Sequence, residues 1–402
     1  MSLKIKSAVM NTYGRFAESM VKGEGMYLMD DTGRRYLDFY AGIAVNALGH
    51  CHPHLVAELQ KQAATLWHVS NLFPIPAQEK LARRLTKDSF ADVAFFTNSG
   101  VEAMEGMIKL ARRYHYANGN PERWRVITVE GAFHGRSLAT IAAANNPKYV
   151  EGFGPKVDGF DNVAFGNMNE IRNAITKETA AILVEPILGE GGIRPVDKDY
   201  MQALRAAADE FGLLLILDEI QCGVGRTGKM WAHEWADVKP DAIASAKGLG
   251  SGFPVGAILA TDEAAKGMIP GVHGTTFGGN PLAMTVANAV LDIIEDTDFL
   301  PNVHKNAMIL REKLEGVVVK HPDIFEFVRG TGLMLGLKCC EDEGVVNANM
   351  VAKLKDNGLL TVGASDNIVR ILPPLIMNET HIDEAIAAIS KTAEEWDKKN
   401  DA

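Results

Sequence analysis

The stretch from Leu213 to Gly252, LLLILDEIQCGVGRTGKMWAHEWADVKPDAIASAKGLGSG, constrains the chain more than any other. It opens with an apolar run too short to span a membrane and long enough for a strand buried on both faces. That run ends abruptly in two acids, Asp218 and Glu219. A second short run, DAIASAK, ends in Lys247, just before Gly248, Gly250 and Gly252. An acid and an amine thus converge where buried strands reach the carboxyl edge of a sheet, the edge at which open α/β sheets bind ligands. Taken singly, each has a plainer use, since strand-end acids cap helices and a lysine before glycines is commonly a solvated loop residue.

Three chemistries use such a pair. Asp218-Glu219 after an apolar strand resembles a Walker B acid, but that reading needs a Gly-x-x-x-x-Gly-Lys-Ser/Thr loop, which the chain lacks. Gly223, Gly225 and Gly228 match the Gly-x-Gly-x-x-Gly pattern of dinucleotide-binding turns. The segment that follows has only a brief helical rhythm before Pro240, and two acids stand where a pyrophosphate must approach, so hydride transfer is the runner-up. The third chemistry is an aldehyde cofactor held by Lys247 as a Schiff base, with Asp218 pairing to a protonated ring nitrogen. It requires a phosphate cradle as well.

A chain of 402 residues can bury a large core and is expected to hold two domains. Its net charge of -10 argues against a nucleic-acid or anionic-membrane surface, so any phosphate or carboxylate must be held by local donors. Cys51, Cys222, Cys339 and Cys340 have neither metal-ligand spacing nor a secreted disulfide pattern, which fits a reducing compartment. Lys4, Lys6 and Arg15 without acids faintly resemble an organellar presequence. Organised sequence begins by about Tyr27, however, and the cytosol is the expected location.

Met26 to Asp38 reads as a hairpin turning at Asp30-Asp31-Thr32-Gly33, and a helix is expected near Pro53. His50, His52 and His54 are expected to be loop and capping residues rather than metal ligands. In ADVAFFTNSGVEAMEGMIKLARRYHY a strand ends at Thr97, Ser99 and Glu102 form a capping box, and Met104, Met107, Ile108 and Ala111 share one helical face. The first amides of that helix, at a glycine, could hold an anion. RVITVEG leads to Phe133 and Arg136, an aromatic to stack on a flat ring and an arginine to clamp a carboxylate, with core packing and a surface ion pair as the plainer readings. AAILVEPILGEGG is a further buried strand, ending at Glu185 before a loop with Glu190. Strand and helix alternate across residues 91–262, which specifies a mainly parallel sheet covered by helices. From about residue 300 the pattern becomes α+β, with strands at GLMLGLK and VRILPPLI, a final helix from Ile382 to Trp396, and a boundary within a helix near 285–300.

The ordered motifs YLDFYAGIAVNALGHCHP, FFTNSGVEAMEGMIKLAR, AFHGRS, VEPILGEGG, LDEIQCGVGRTG, AKGLGSGFPVGA, HGTTFGGNPLA and VRGTGLMLGL run from about residue 10 to about 395. This set resembles the class III, or omega-amino, aminotransferases that use pyridoxal phosphate, and within them is most like the members that act on acetylornithine. The resemblance implies an α/β fold, that of fold type I pyridoxal-phosphate enzymes. Residues 1–50 would be an N-terminal segment packing with the small domain, 51–290 a large cofactor-binding domain and 291–402 that small α+β domain.

The resemblance also implies roles. Lys247 would hold the cofactor and move the proton, and Asp218 would keep the pyridine nitrogen protonated. Gln221 would lie near the ring oxygen and Phe133 would stack on the ring. The amides of Gly100 and Val101 would hold the phosphate, joined by Thr276 from a neighbouring subunit, so a homodimer would be the smallest active unit. Arg136, with Thr275 nearby, would bind the substrate carboxylate remote from the reacting amine. Arg370 would bind the α-carboxylate of glutamate and pair with Glu190 when the other substrate is bound. Leu188, Ser137 and Phe277 depart from the glutamine, threonine and tyrosine frequent in the family; the first removes an amide close to Glu190.

Overall fold

The computed structural model describes residues 7–341 and 343–396. Lys4 and Lys6 lie outside them. The central element is a seven-stranded sheet in the order Val93–Thr97, Gly256–Ala260, Ala242–Ser245, Leu214–Asp218, Thr179–Val184, Arg125–Val129, Phe160–Val163. Gly256–Ala260 runs antiparallel to both neighbours, and the other strands are mutually parallel. Their carboxyl ends therefore share one edge.

The four strands in the middle of that order, from Gly256–Ala260 to Thr179–Val184, are buried along their whole length, as continuous apolar runs require when helices cover both faces. One covering helix is Gly100–Ala117, whose Met104, Met107, Ile108 and Ala111 are all buried. Another is Lys198–Phe211, which starts on an Asp197 side-chain cap and stops at Gly212 in the left-handed conformation that L side chains avoid.

The expected hairpin forms from Tyr27–Asp30 and Arg35–Asp38, with Asp30 accepting from the Thr32 and Arg34 amides of the turn. A further strand, Met20–Glu24, pairs with it. Arg35–Asp38 also pairs in parallel with Leu359–Leu360, which ties the amino-terminal segment to the carboxyl-terminal third of the chain.

That third contains a four-stranded antiparallel sheet of Phe325–Thr331, Met334–Cys339, Ile368–Ile371 and Val362–Ala364. Helices Phe299–Lys320, Asn347–Asp356 and Glu379–Glu394 accompany it. Near 285–300 the chain is not one helix. Pro281–Ile294 ends, and a new helix starts at Phe299 with Pro301 in its first turn, where a missing amide hydrogen costs little.

Candidate active site

The parallel register gathers the acids. Leu217 lies opposite Val184 and Asp218 opposite Ala244, so Glu185 emerges beside Asp218, and Lys247 follows the neighbouring strand by two residues. These groups line a cleft of about 440 Å³ together with Gly100, Val101, Phe133, His134, Arg136 and Gln221.

Lys247 has φ 42°, a left-handed conformation costly for a residue with a Cβ, and such strain concentrates at functional sites. Its side-chain amine makes no hydrogen bond or ion pair among the described residues, while its carbonyl accepts from the Gly250 and Ser251 amides. Burial, and then the Arg370 charge, lower its pKa and favour the neutral amine.

Asp218, 3% exposed, accepts a hydrogen bond from the Ile220 amide at 3.0 Å and meets His134 Nδ1 at 2.9 Å. Burial opposes a charge on His134, but the hydrogen bond and charge of Asp218 outweigh it and hold the imidazole above its ordinary pKa. Glu185 accepts from the amides of Phe133 at 2.7 Å and Gly189 at 3.1 Å, bracing two loops of the cleft. Burial and the neighbouring Asp218 push it up to about 7. His134 was not singled out by sequence reasoning, and Glu185 was seen only as a strand-end acid. Their convergence on Asp218 depends on the register of strands distant in sequence.

Glu219 takes no part in the cleft. It accepts from the Ala232 and His233 amides and from the His233 ring, so the second acid of the pair is a structural cap. Gly223, Gly225 and Gly228 do not form a phosphate turn opening a helix. A Cβ at Gly225 would meet Leu300 and Leu375, and one at Gly228 would meet His304. Their freedom serves close packing, which removes the basis for the dinucleotide reading.

Ser99 caps the helix Gly100–Ala117 by accepting from the Glu102 amide, but Glu102 reaches back to the Asn98 amide at 2.6 Å, one residue beyond the expected box. Gly100 and Val101 therefore present first-turn amides without intrahelical acceptors at the cleft. A Cβ at Gly100 would also crowd the Ile220 side chain, at 2.8 Å.

Gln221 lies against Gly189, where a Cβ would come within 2.6 Å of its amide, and its side-chain oxygen is buried without a partner. A cleft with an unpaired amine, an acid held by histidine, an unsatisfied amide oxygen and free helix amides fits pyridoxal phosphate at every group that cofactor offers. Phe133 lines the same cleft.

The two arginines are held differently. Arg136 is exposed and has no ion pair among the described residues; its guanidinium lies over the rings of Tyr149 at 4.0 Å and Phe133 at 5.5 Å. Arg370, 2% exposed, donates to Glu190 at 2.6 and 3.3 Å and to the Gly363 carbonyl at 2.9 Å. This pair forms with Leu188 fully buried in the ribbon Ile187–Leu188/Arg194–Pro195. Thr275 and Thr276 do not line the Lys247 cleft of their own chain. They line a separate cleft with Asn98, Glu102, Ser137 and Phe277, and the Thr275 hydroxyl accepts from Asn98 and the Gly278 amide.

His50 pairs with Asp38, His52 is the residue before the helix Pro53–Ala63, and His54 pairs with Asp292. No group of side chains suited to a metal ion occurs among the described residues. No helix among them is long and apolar enough to cross a membrane.

Comparison with known proteins bears on the whole chain. The family model "Aminotransferase class-III" matches residues 9–393. Acetylornithine aminotransferase from Mesorhizobium japonicum is 58% identical over 95% of this chain and 95% of its own length. The protein of that name from Methanocaldococcus jannaschii is 46% identical over 96% of each. Among solved structures, N-acetylornithine aminotransferase from Stenotrophomonas maltophilia superposes with a TM-score of 0.82 at 34% identity, covering 94% of this chain and 96% of that one. Ornithine aminotransferase from Toxoplasma gondii gives 0.92 at 29% identity, covering 96% and 92%. With Lys247, Asp218, Phe133 and Arg136 lining one cleft at the sheet edge, the chain belongs to the class-III aminotransferases, enzymes that transfer amino groups with pyridoxal phosphate.

Proposed function

We propose that the chain transfers an amino group between N2-acetylornithine and 2-oxoglutarate, giving N-acetylglutamate 5-semialdehyde and glutamate, as a cytosolic step of arginine biosynthesis. The observation that carries this reading is the unequal state of the two arginines, one free of acids and one neutralised by Glu190. A side-chain amine whose only carboxylate is remote needs Arg136 and no second cation. Glutamate, reacting at its α-amine, needs a second arginine for the adjacent carboxylate, and displacement of Glu190 makes Arg370 available. The named relatives support the same choice.

Pyridoxal phosphate, when bound, supplies an aldehyde to take up the amino group and a ring to accept electrons. The roles of the chain's residues follow. Lys247 would hold the cofactor and, once displaced, would move the proton between the substrate's amine-bearing carbon and the cofactor's C4′; burial lowers its pKa and favours the neutral amine such a base needs. Asp218, kept in place by His134, would hold a proton on the ring nitrogen. Gln221 would lie near the ring oxygen, Phe133 would stack on the ring, and the Gly100 and Val101 amides would bind the phosphate. Residues 51–290 would form the large cofactor-binding domain and 291–402 the small one, with 1–50 an N-terminal segment packing with the small domain; the pairing of Arg35–Asp38 with Leu359–Leu360 supports that division.

The working unit in this reading is a homodimer, with Thr276 of the partner subunit completing the phosphate site. Leu66, Trp67, Leu72, Phe73 and Phe277 are large apolar side chains left exposed, and Asn71 bonds the Thr275 and Gly278 carbonyls to join their loops. Such a patch suits a second copy.

The test is a half-reaction. Holoenzyme mixed separately with acetylornithine, succinylornithine, ornithine and 4-aminobutyrate should pass to its amino form fastest with acetylornithine. Preference for another amine would refute the named substrate while leaving the transaminase chemistry.

A further inference from the structure

We propose that Tyr149 is a positioning residue that sets the preference for carboxylate-bearing amines by holding the Arg136 guanidinium. The inference rests on the reading of Arg136 as the site of the remote carboxylate. Arg136 is exposed, follows a glycine at φ 127°, and has no acid to fix it among the described residues. An arginine so placed samples many rotamers, and only some present its N–H edge to the cleft.

Two aromatic rings restrict that choice. Tyr149 and Phe133 stand with centroids 6.0 Å apart and planes at 83°, forming a right-angled corner. The guanidinium lies at that corner, closer to Tyr149 than to Phe133 by 4.0 against 5.5 Å. Phe133 is expected to give a face to the cofactor ring, which leaves Tyr149 as the ring whose principal contact is the cation. A guanidinium stacked on a ring face keeps its in-plane N–H groups free for a bidentate carboxylate.

The chain holds Tyr149 there deliberately. The helix Leu138–Ala144 ends at Asn145 in the left-handed conformation, φ 52°, and Lys156 donates to the Asn145 side chain at 2.7 Å. Asn146 then caps the turn Pro147–Val150 by accepting from the Lys148 amide at 3.0 Å. These contacts return the chain from the helix to the mouth of the cleft, with Tyr149 directed at Arg136.

The test uses holoenzyme carrying Tyr149→Phe, Tyr149→Leu or Arg136→Ala. Two amines are compared in single-turnover half-reactions, acetylornithine and pentylamine, which has no carboxylate. Binding of N-acetylnorvaline, which keeps the carboxylate and lacks the reacting amine, is measured by calorimetry. Tyr149→Leu should weaken acetylornithine and N-acetylnorvaline by about tenfold, the scale of a lost cation–π contact, and leave pentylamine within about twofold. Tyr149→Phe should restore both carboxylate ligands to within about threefold, because the ring face is retained. Equal losses for acetylornithine and pentylamine would make Tyr149 merely structural and overturn the proposal. So would failure of phenylalanine to rescue. If Arg136→Ala weakens the carboxylate ligands and Tyr149→Leu does not, the inference fails while the reading of Arg136 stands. If Arg136→Ala has no effect, both fall.

Discussion

Replacing Glu190 by glutamine tests the two-substrate argument at its centre. In the structure the Arg370 side chain is 2% exposed and that of Glu190 27%, with 2.6 Å between Nη1 and Oε1. At that separation and an effective dielectric of ~20 the attraction is roughly 6 kcal/mol before desolvation. Partial exposure of the acid and the remaining Gly363 carbonyl reduce the net loss to about 1–3 kcal/mol. The same energy opposes an incoming α-carboxylate, which must displace Glu190 to reach Arg370. Glu190→Gln should therefore lower the glutamate KM by about 10–100-fold, at roughly 1.4 kcal/mol per decade. It should slow turnover of acetylornithine, because a bare cation then lies near the Lys247 amine that it already depresses. Rapid-mixing half-reactions with each substrate separate the two effects. A glutamate KM unchanged or raised, in a variant that keeps its cofactor, would refute the displacement argument.

Lys247→Ala should abolish the visible absorption of the covalently held cofactor and slow amino transfer by about 10²–10⁴-fold or more, read by absorbance and product formation. Glu185 is predicted to make stability fall with rising pH. Its native pKa of about 7 lies above the ordinary value of 4.5, so between the two the native state keeps a proton that the unfolded state has lost. The loss is about 3 kcal/mol over that window, and His134, also raised, adds a fall in the same direction as pH passes through its native pKa. Urea unfolding of the apoprotein across pH 5–8 should show this decline, and Glu185→Gln should flatten its lower half. An unaltered slope in that variant would count against a shared proton in the cluster. Arg226→Ala should destabilise by about 3 kcal/mol in urea unfolding, since it opens a cavity and strips the Leu333 and Pro373 carbonyls of their donor.

The charges at strand ends were legible because a strand buried on both faces is a continuous apolar run, and a charge marks where it meets the edge. Asp218, Lys247 and Glu185 all stand out in that way. Nothing local to Phe133-His134-Gly135-Arg136 says that His134 lies under Asp218, 84 positions along the chain; only the parallel register says so. Phe325–Thr331 is hidden for another reason. As an edge strand with only its first residue buried, it has neither an apolar run nor clean alternation. Val362–Ala364 is too short to show either. Pro301 was a usable signal, since proline in a first turn marks the helix start that divides the 281–320 segment. Tyr149 carried no sequence signal, because its meaning depends on a guanidinium brought to it by a turn.

The glycines after Asp218 illustrate how one pattern serves a different end. Gly-x-Gly-x-x-Gly suits a backbone that must pass close to something, and a pyrophosphate is only one such neighbour. Here the neighbour is the carboxyl-terminal third of the chain. Gly225 and Gly228 are left-handed, at φ 83° and 89°, and admit Leu300, Leu375 and His304. From the other side, a Cβ at Gly332 would lie 2.4 Å from the Thr227 backbone. Between these contacts the Leu333 amide donates to the Arg226 carbonyl at 2.9 Å, and the Arg226 guanidinium returns to the Leu333 and Pro373 carbonyls. Arg226 has no acid partner among the described residues, and burial lowers its pKa to about 9, so burying the charge is a cost that its contacts with the Leu333 and Pro373 carbonyls must offset. What the cost secures is position. The loop begins three residues after Asp218, at Gln221, and ends against the segment that follows Arg370 by three residues, at Pro373. The ring-nitrogen acid and the second-substrate arginine are thereby fixed relative to each other by one dense seam, and loosening it should disturb glutamate recognition before it disturbs the cofactor.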